Sequence, residues 1–213
     1  MLPAIKIGAR PSRLAVAQVK EITDQLGGLE SRLKLFATSG DCDMLTPIDR
    51  AEGSDFFTDL IEQALLKREI DLAVHSAKDL PDKLPDGLVI AVTTKSIETR
   101  DVLVSKGNLK LNEVPAGSRV GTSSRRRKEQ LRELRPDIEP LDLRGNIDER
   151  LAKLDQDDFE AIILAGAALM RLDLKQRISE WLNFETADGQ GSLALEVRAN
   201  DQELIKWLRE KFI

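Results

Sequence analysis

Three consecutive arginines, Arg125, Arg126 and Arg127, follow a short apolar stretch and a turn of small residues in RVGTSSRRRKEQL, residues 119 to 131. The pattern predicts a strand, a turn, and a helix that opens on the arginines. A helix N-terminus offers free N–H groups and the positive end of the macrodipole, so cations are disfavoured there. A multiply charged carboxylate or phosphate ligand would turn that repulsion into a binding site. Thr122, Ser123, Ser124 and backbone N–H groups would add donors, and the guanidiniums would grip the anion in bidentate fashion. The plain alternative is a solvated arginine face that begins a surface helix.

The elements that must position these residues alternate along the chain. Residues 4 to 9 read as a strand, followed by a helix in which Leu14, Ala17, Val19, Ile22 and Leu26 recur near helical spacing, so Arg10 and Ser12 fall in the turn between them. RLKLFAT at 32 to 38 alternates as a strand, SGDCDML is a loop, and FFTDLIEQALLKR returns to helix. IDLAVH at 70 to 75 is a compact apolar run of the kind a buried parallel strand shows, and it ends in the proline-bearing loop SAKDLPDKLPDGL. GLVIAVTT, RDVLVS, SRVGT, IEPLDLR, EAIILAG and GQGSLALEVR read as further strands. NIDERLAKLD reads as a helix capped by Asn146, a late helical zone holds Arg171 and Trp181, and DQELIKWLREKF closes the chain with Leu204, Ile205 and Leu208 on one face. This alternation predicts α/β layers around mostly parallel sheets. Breaks near 93 to 100 and 183 to 191 divide the chain into domain 1 (residues 1–95 plus 189–213) and domain 2 (residues 96–188), two lobes with a cleft between them.

Composition limits the function classes. A chain of 213 residues with 41% hydrophobic content buries a core large enough for one large domain or two small ones. The formal net charge of -5 makes the arginines a local concentration in an acidic protein, which argues against a nucleic-acid partner, as does the 4% aromatic content. The longest apolar run, AIILAGAALM, is half of the roughly 20 residues a membrane span needs, and MLPAIKIGAR lacks an apolar signal core, so no membrane partner and a cytoplasmic location are expected. One cysteine, Cys42, and one histidine, His75, exclude an internal disulfide and make a metal centre or a histidine-dependent triad improbable; no metal site is expected.

Arg10, Ser12, Ser76, Lys78, Asp79, Thr122 to Arg127, Arg144, Arg150 and Arg171 stand at or near predicted strand ends, where ligands of α/β folds bind. Together they read as a polyanion receptor with one conspicuous carboxylate. Asp79 among cations would have its charged form favoured, and it would steady a cationic intermediate or pass a proton to a leaving amine. The alternative for Asp79 is an ordinary loop aspartate in a KDLPDK turn.

IGARPSRLAVAQV, IDLAVHSAKDLPDKLPDGL, VGTSSRRRKEQL, LRGNIDERLAKLD, AIILAGAALMRL and GQGSLALEVR together closely resemble the porphobilinogen deaminase, or hydroxymethylbilane synthase, family. The resemblance covers nearly the whole chain. It implies a transferase of tetrapyrrole and heme biosynthesis that joins four porphobilinogen units head to tail on a dipyrromethane cofactor, losing ammonia at each step. The implied fold is two lobes like type II periplasmic binding proteins plus a small third domain. By motif match, Asp79 is the catalytic aspartate. Arg10, Ser12, Ser76, Lys78, Thr122, Ser123, Ser124, Arg126, Arg127, Arg144, Arg150 and Arg171 would hold the acetate and propionate groups of the growing chain. Arg125 stands where the family more often has an apolar residue.

Two departures from the family pattern stand out. RAEGSDFF, residues 50 to 57, has Ser54 and Asp55 where the family usually has a lysine and a glycine. The chain also stops at Ile213, short of the third domain and the cysteine that bears the primer; Cys42 lies in a different motif and reads as an inert small residue. The leading expectation is a short, monomeric porphobilinogen deaminase. Open alternatives are a non-catalytic binder of acidic pyrroles and a partial enzyme completed by a separate polypeptide. A receptor for transported solutes is weakened by the lack of an export signal.

Overall fold

The computed structural model describes residues 4–27, 30–38, 58–81 and 83–212. Cys42, the SGDCDML loop, Ser54, Asp55 and Phe57 lie outside the described residues. In chain order the elements are β1 (Ile5–Ala9), α1 (Arg13–Gln25), β2 (Ser31–Leu35), α2 (Asp59–Leu66), β3 (Leu72–Ser76), β4 (Leu88–Thr93), β5 (Asp101–Ser105), β6 (Arg119–Gly121), α3 (Arg125–Leu134), β7 (Glu139–Leu141), α4 (Ile147–Asp155), β8 (Ala161–Ala165), α5 (Gly166–Arg171), β9 (Glu180–Leu182), β10 (Leu193–Arg198) and α6 (Gln202–Phe212). They form two units. The first holds described residues up to Ile97 and again from Gly191, and the second runs from Glu98 to Gln190.

In the first unit the sheet order is β2-β1-β3-β10-β4. β1 pairs in parallel with β2 and β3, whereas β10 runs antiparallel to both β3 and β4. Four strands therefore point one way and the returning strand points the other. One face buries Ile7, Ile22, Leu72, Val74, Leu195 and Leu208 against α1 and α6. The opposite face buries Ile61, Leu65, Ile70 and Ala73 against α2. All of Leu72–His75 is buried, which explains why this strand reads as an unbroken apolar run. The same interior holds a polar pair, with His75 Nε2 3.0 Å from Glu196 Oε2, linking β3 to β10.

The second unit repeats this plan in the order β7-β6-β8-β5-β9. β6 is parallel to β7 and β8, and β5 is antiparallel to β8 and β9. Each sheet thus carries one reversed strand, and in each it is the strand by which the chain enters the unit from the other. One face packs Leu103, Val120, Leu131 and Ile163 together; the other packs Val102, Leu151, Leu154, Ile162 and Leu164.

The late helical zone expected to include Trp181 is shorter than the sequence pattern suggests. α5 ends at Arg171, Asp173 takes φ 56°, and Trp181 lies in β9 opposite Val102. An edge strand of three residues is too short to display a period of two, so its pairing is decided by the distant partner β5. Gly166 is required here: a Cβ would stand 2.4 Å from Trp181 Cζ3 and 3.0 Å from the Arg100 carbonyl oxygen. The Arg100 guanidinium lies 4.4 Å from the Trp181 ring centroid and pairs with Glu98.

Candidate functional site

Within each unit the predicted site residues at the strand ends leave from one edge of the sheet; Arg150 lies further along, in α4, and Arg171 at the far end of α5. In the first unit β1 and β3 are parallel neighbours, so Arg10, which follows β1, and Ser76–Asp79, which ends and follows β3, leave from the same edge. Ser12 caps α1 by accepting from Ala15 N at 3.1 Å. Ser76 Oγ accepts from Gln18 Nε2 at 2.9 Å, which ties the end of β3 to the buried face of α1. The next backbone donor, Ala77 N, reaches Ser192 O at 3.0 Å, so the short 3₁₀ turn Ala77–Asp79 starts from a fixed point. Lys78 and Asp79 are partly buried on that turn. Among the described residues the Asp79 carboxylate accepts no hydrogen bond and forms no ion pair.

In the second unit the ends of β6, β7 and β8 share an edge for the same reason. Thr122, Ser123 and Ser124 follow β6, Arg144 follows β7, and Arg171 ends the helix that follows β8. Ser123 is buried, and its hydroxyl both donates to Leu143 O and accepts from Leu143 N, each at 2.9 Å, joining the β6 and β7 ends. Thr122 Oγ1 accepts from Ser124 N at 3.4 Å, whereas the Ser124 side chain leaves the N-terminus of α3 uncapped. The turn at Arg144 depends on Gly145, whose φ of 111° and whose closeness to Glu149 exclude a Cβ. Asn146 and Glu149 then form a reciprocal capping box that starts α4, and Arg150 Nε donates to Gly145 O at 2.7 Å.

The arginines of α3 take three different situations. Arg125 is exposed and pairs along the helix with Glu129. Arg126 donates from Nη2 to Asp101 Oδ2 at 2.7 Å and from Nη1 to the Glu185 carbonyl. Arg127 is 5% exposed; its Nη2 donates to Asp101 Oδ1 at 2.6 Å, and its Nε has no partner among the described residues. Much of the negative charge that the sequence calls for beside these arginines is therefore internal: it is Asp101, fully buried at the start of β5. Burial pushes the Asp101 carboxyl up, but Arg127 and Arg126 outweigh it and hold it below its ordinary value. Gln190 completes the cluster, its Nε2 donating to Asp101 Oδ1 at 2.9 Å and to the Thr99 carbonyl. One carboxylate facing two guanidiniums leaves one positive charge in excess.

Asp101, Gln190 and Gln18 are absent from the sequence-derived site. The one sequence signal was an aspartate opening the otherwise apolar run DVLVS, since a buried charge must be paired. Among the described residues no group of three or more His, Cys, Asp or Glu side chains could hold a metal ion, and no helix is long and apolar enough to cross a membrane.

Comparison with known proteins adds the family. Solved structures of similar fold include an ancestral cationic amino acid solute-binding protein, with TM-score 0.56, 15% identity and coverage of 98% of this chain and 88% of that one. A periplasmic domain of Bordetella pertussis BvgS gives TM-score 0.54 at 12% identity, covering 98% of this chain and 86% of that one. These are two-lobed folds of the periplasmic-binding-protein kind, and the likeness concerns the fold alone. Sequence relatives are much nearer. Porphobilinogen deaminase of Brevibacillus brevis is 44% identical over 212 residues, 96% of this chain and 69% of the relative. That of Bacillus subtilis is 44% identical over 213 residues, 96% of this chain and 68% of the relative. The family model described as porphobilinogen deaminase, dipyromethane cofactor binding domain, matches residues 5–206. The chain belongs to the porphobilinogen deaminase family.

Proposed function

We propose that this chain condenses porphobilinogen units into the linear tetrapyrrole hydroxymethylbilane. In each step the carbon–nitrogen bond of the aminomethyl group breaks and ammonia leaves. A carbon–carbon bond then forms to the pyrrole terminus of the growing chain, which gives up its proton. The observation that carries this reading is Asp79: a partly buried carboxylate without an internal partner among the described residues, at the carboxyl end of a buried parallel strand. Its charge remains available to the cationic pyrrole left when ammonia departs and to pyrrole N–H groups.

The donor set fits an oligopyrrole bearing acetate and propionate groups, and with it dipyrromethane. Arg126 is partly exposed, Arg127 keeps an unpaired buried Nε, and Arg144, Arg150 and Arg171 are partly buried. These residues, with Thr122 and Ser124 in the second unit and Arg10, Ser12, Ser76 and Lys78 in the first, would hold the carboxylates by charge-assisted bonds. Ser123 would act through the Leu143 backbone it already clamps. Bound dipyrromethane supplies the pyrrole terminus on which the chain is extended. Under this reading the protein works in the cytoplasm as a monomer.

The test is conversion of porphobilinogen by the purified chain, with the product oxidised and read as uroporphyrin absorbance, with and without added dipyrromethane. Absorbance that grows with time supports the enzyme. Binding of porphobilinogen without turnover under any supplement favours a non-catalytic binder of acidic pyrroles. Turnover that requires a second polypeptide identifies a partner-dependent partial enzyme.

A further inference from the structure

The cluster around Asp101 has a geometry that simple charge neutralisation does not require. Both carboxylate oxygens are used: Oδ2 accepts from Arg126 Nη2, and Oδ1 accepts from Arg127 Nη2 and Gln190 Nε2. Each guanidinium meets Asp101 through Nη2, so the two stand on either side of one buried anion; Arg126 Nη1 also donates to the Glu185 carbonyl, and Arg127 Nη2 reaches Gln190 Oε1 at 3.4 Å. Arg127 Nη1 reaches Ile163 O only at 3.5 Å, and Arg127 Nε, on a side chain 6% exposed, has no acceptor among the described residues.

We infer that Asp101, supported by Gln190, is a positioning and selectivity residue of the carboxylate site: it occupies the space between Arg126 and Arg127 and leaves only their outer N–H groups for ligand. The inference rests on the reading that these arginines receive pyrrole carboxylates. A lone small anion would bind best between the two guanidiniums, where it collects donors from both, and Asp101 already fills that position. An acidic pyrrole carries two carboxylates on one rigid ring, so it can engage separated outer groups and does not need the central position. Asp101 therefore excludes simple inorganic anions while keeping the arginines in fixed orientations. Gln190 holds Asp101 Oδ1 and the Thr99 carbonyl together, so it fixes the carboxylate in turn.

The experiment is calorimetric titration of the full chain and of Asp101→Asn with two probes, porphobilinogen and sulfate, each variant first checked for a cooperative melt. The expected result is a sulfate affinity at least tenfold higher in Asp101→Asn, where the local excess charge rises from one to two, with porphobilinogen affinity unchanged or lower. A folded Asp101→Asn whose ratio of porphobilinogen to sulfate affinity stays within threefold of wild type would overturn the inference. Should Asp101→Asn fail to fold, Asp101→Glu keeps the charge and displaces the carboxylate by one methylene. Loss of discrimination in Asp101→Glu supports positioning by Asp101, whereas wild-type discrimination reduces its role to charge balance and overturns the inference. Absence of porphobilinogen binding in the wild type would sink the functional reading, while the sulfate comparison would still decide whether Asp101 guards the arginine pair.

Discussion

Asp79→Asn separates chemistry from structure because the Asp79 carboxylate holds nothing else in place. It lies partly buried on the Ala77–Asp79 turn, and among the described residues it accepts no hydrogen bond. The turn itself is anchored upstream, by Ala77 N on Ser192 O and by Gln18 on Ser76. Replacing the carboxylate by an amide of the same shape should change stability by no more than about 0.5 kcal/mol, which is about 1–2 °C in Tm for a protein of this size. Its catalytic cost is another matter. Removing a group aimed at charge that develops in the transition state costs about 100- to 1000-fold in kcat, or about 2.7–4 kcal/mol. Initial rates of uroporphyrin formation over a range of porphobilinogen concentrations, paired with a thermal melt, should show kcat falling by that factor with KM within about twofold. A loss of affinity or of Tm in parallel with kcat would make Asp79 a structural residue, and an unchanged rate would remove it from the mechanism.

Asp101→Ala should behave in the opposite way. It leaves two guanidiniums facing each other, one of them buried, and breaking a buried ion pair costs about 3–5 kcal/mol. At about 2–4 °C per kcal/mol, the melt should fall by about 6–20 °C; a shift within 2 °C would contradict the pairing. Glu98 gives a pH signature. The hydrogen bonds from the Arg100 side chain lower its carboxyl from 4.5 to about 2 against the opposing effect of burial. A depressed carboxyl adds stability that is complete above pH 4.5 and is lost as pH falls toward about 2, so the difference in Tm between wild type and Glu98→Gln should shrink across that window. A difference constant from pH 5 to pH 2 would refute it.

Much of the architecture is legible in the residues because it rests on local period. The apolar stripe of α6, the Asn146 cap and the unbroken run of β3 each follow from spacing, and each is present. β9 is not legible, since three edge residues carry no period and their partner β5 lies about 80 positions away in sequence. The reversal of β5 and β10 is hidden for a related reason: buried strands look alike in either direction. At the site, the arginines announce themselves by their unfavourable place at a helix start. Their counter-ion does not, because Asp101 meets them only after folding brings β5 beside β8 and places α3 over the sheet. Ser123 has the type of a ligand-binding residue and the contacts of a clamp, a distinction that only the position of Leu143 reveals.

Native mass spectrometry of the chain incubated with porphobilinogen and added dipyrromethane shows whether it builds oligopyrroles, with Asp79 steadying the cationic pyrrole. The expected result is a ladder of bound masses, each step one porphobilinogen less one ammonia. Asp79→Asn should bind porphobilinogen and form the ladder about 100- to 1000-fold more slowly. A wild-type chain that shows no bound pyrrole, or only intact porphobilinogen under every supplement, would rule this function out.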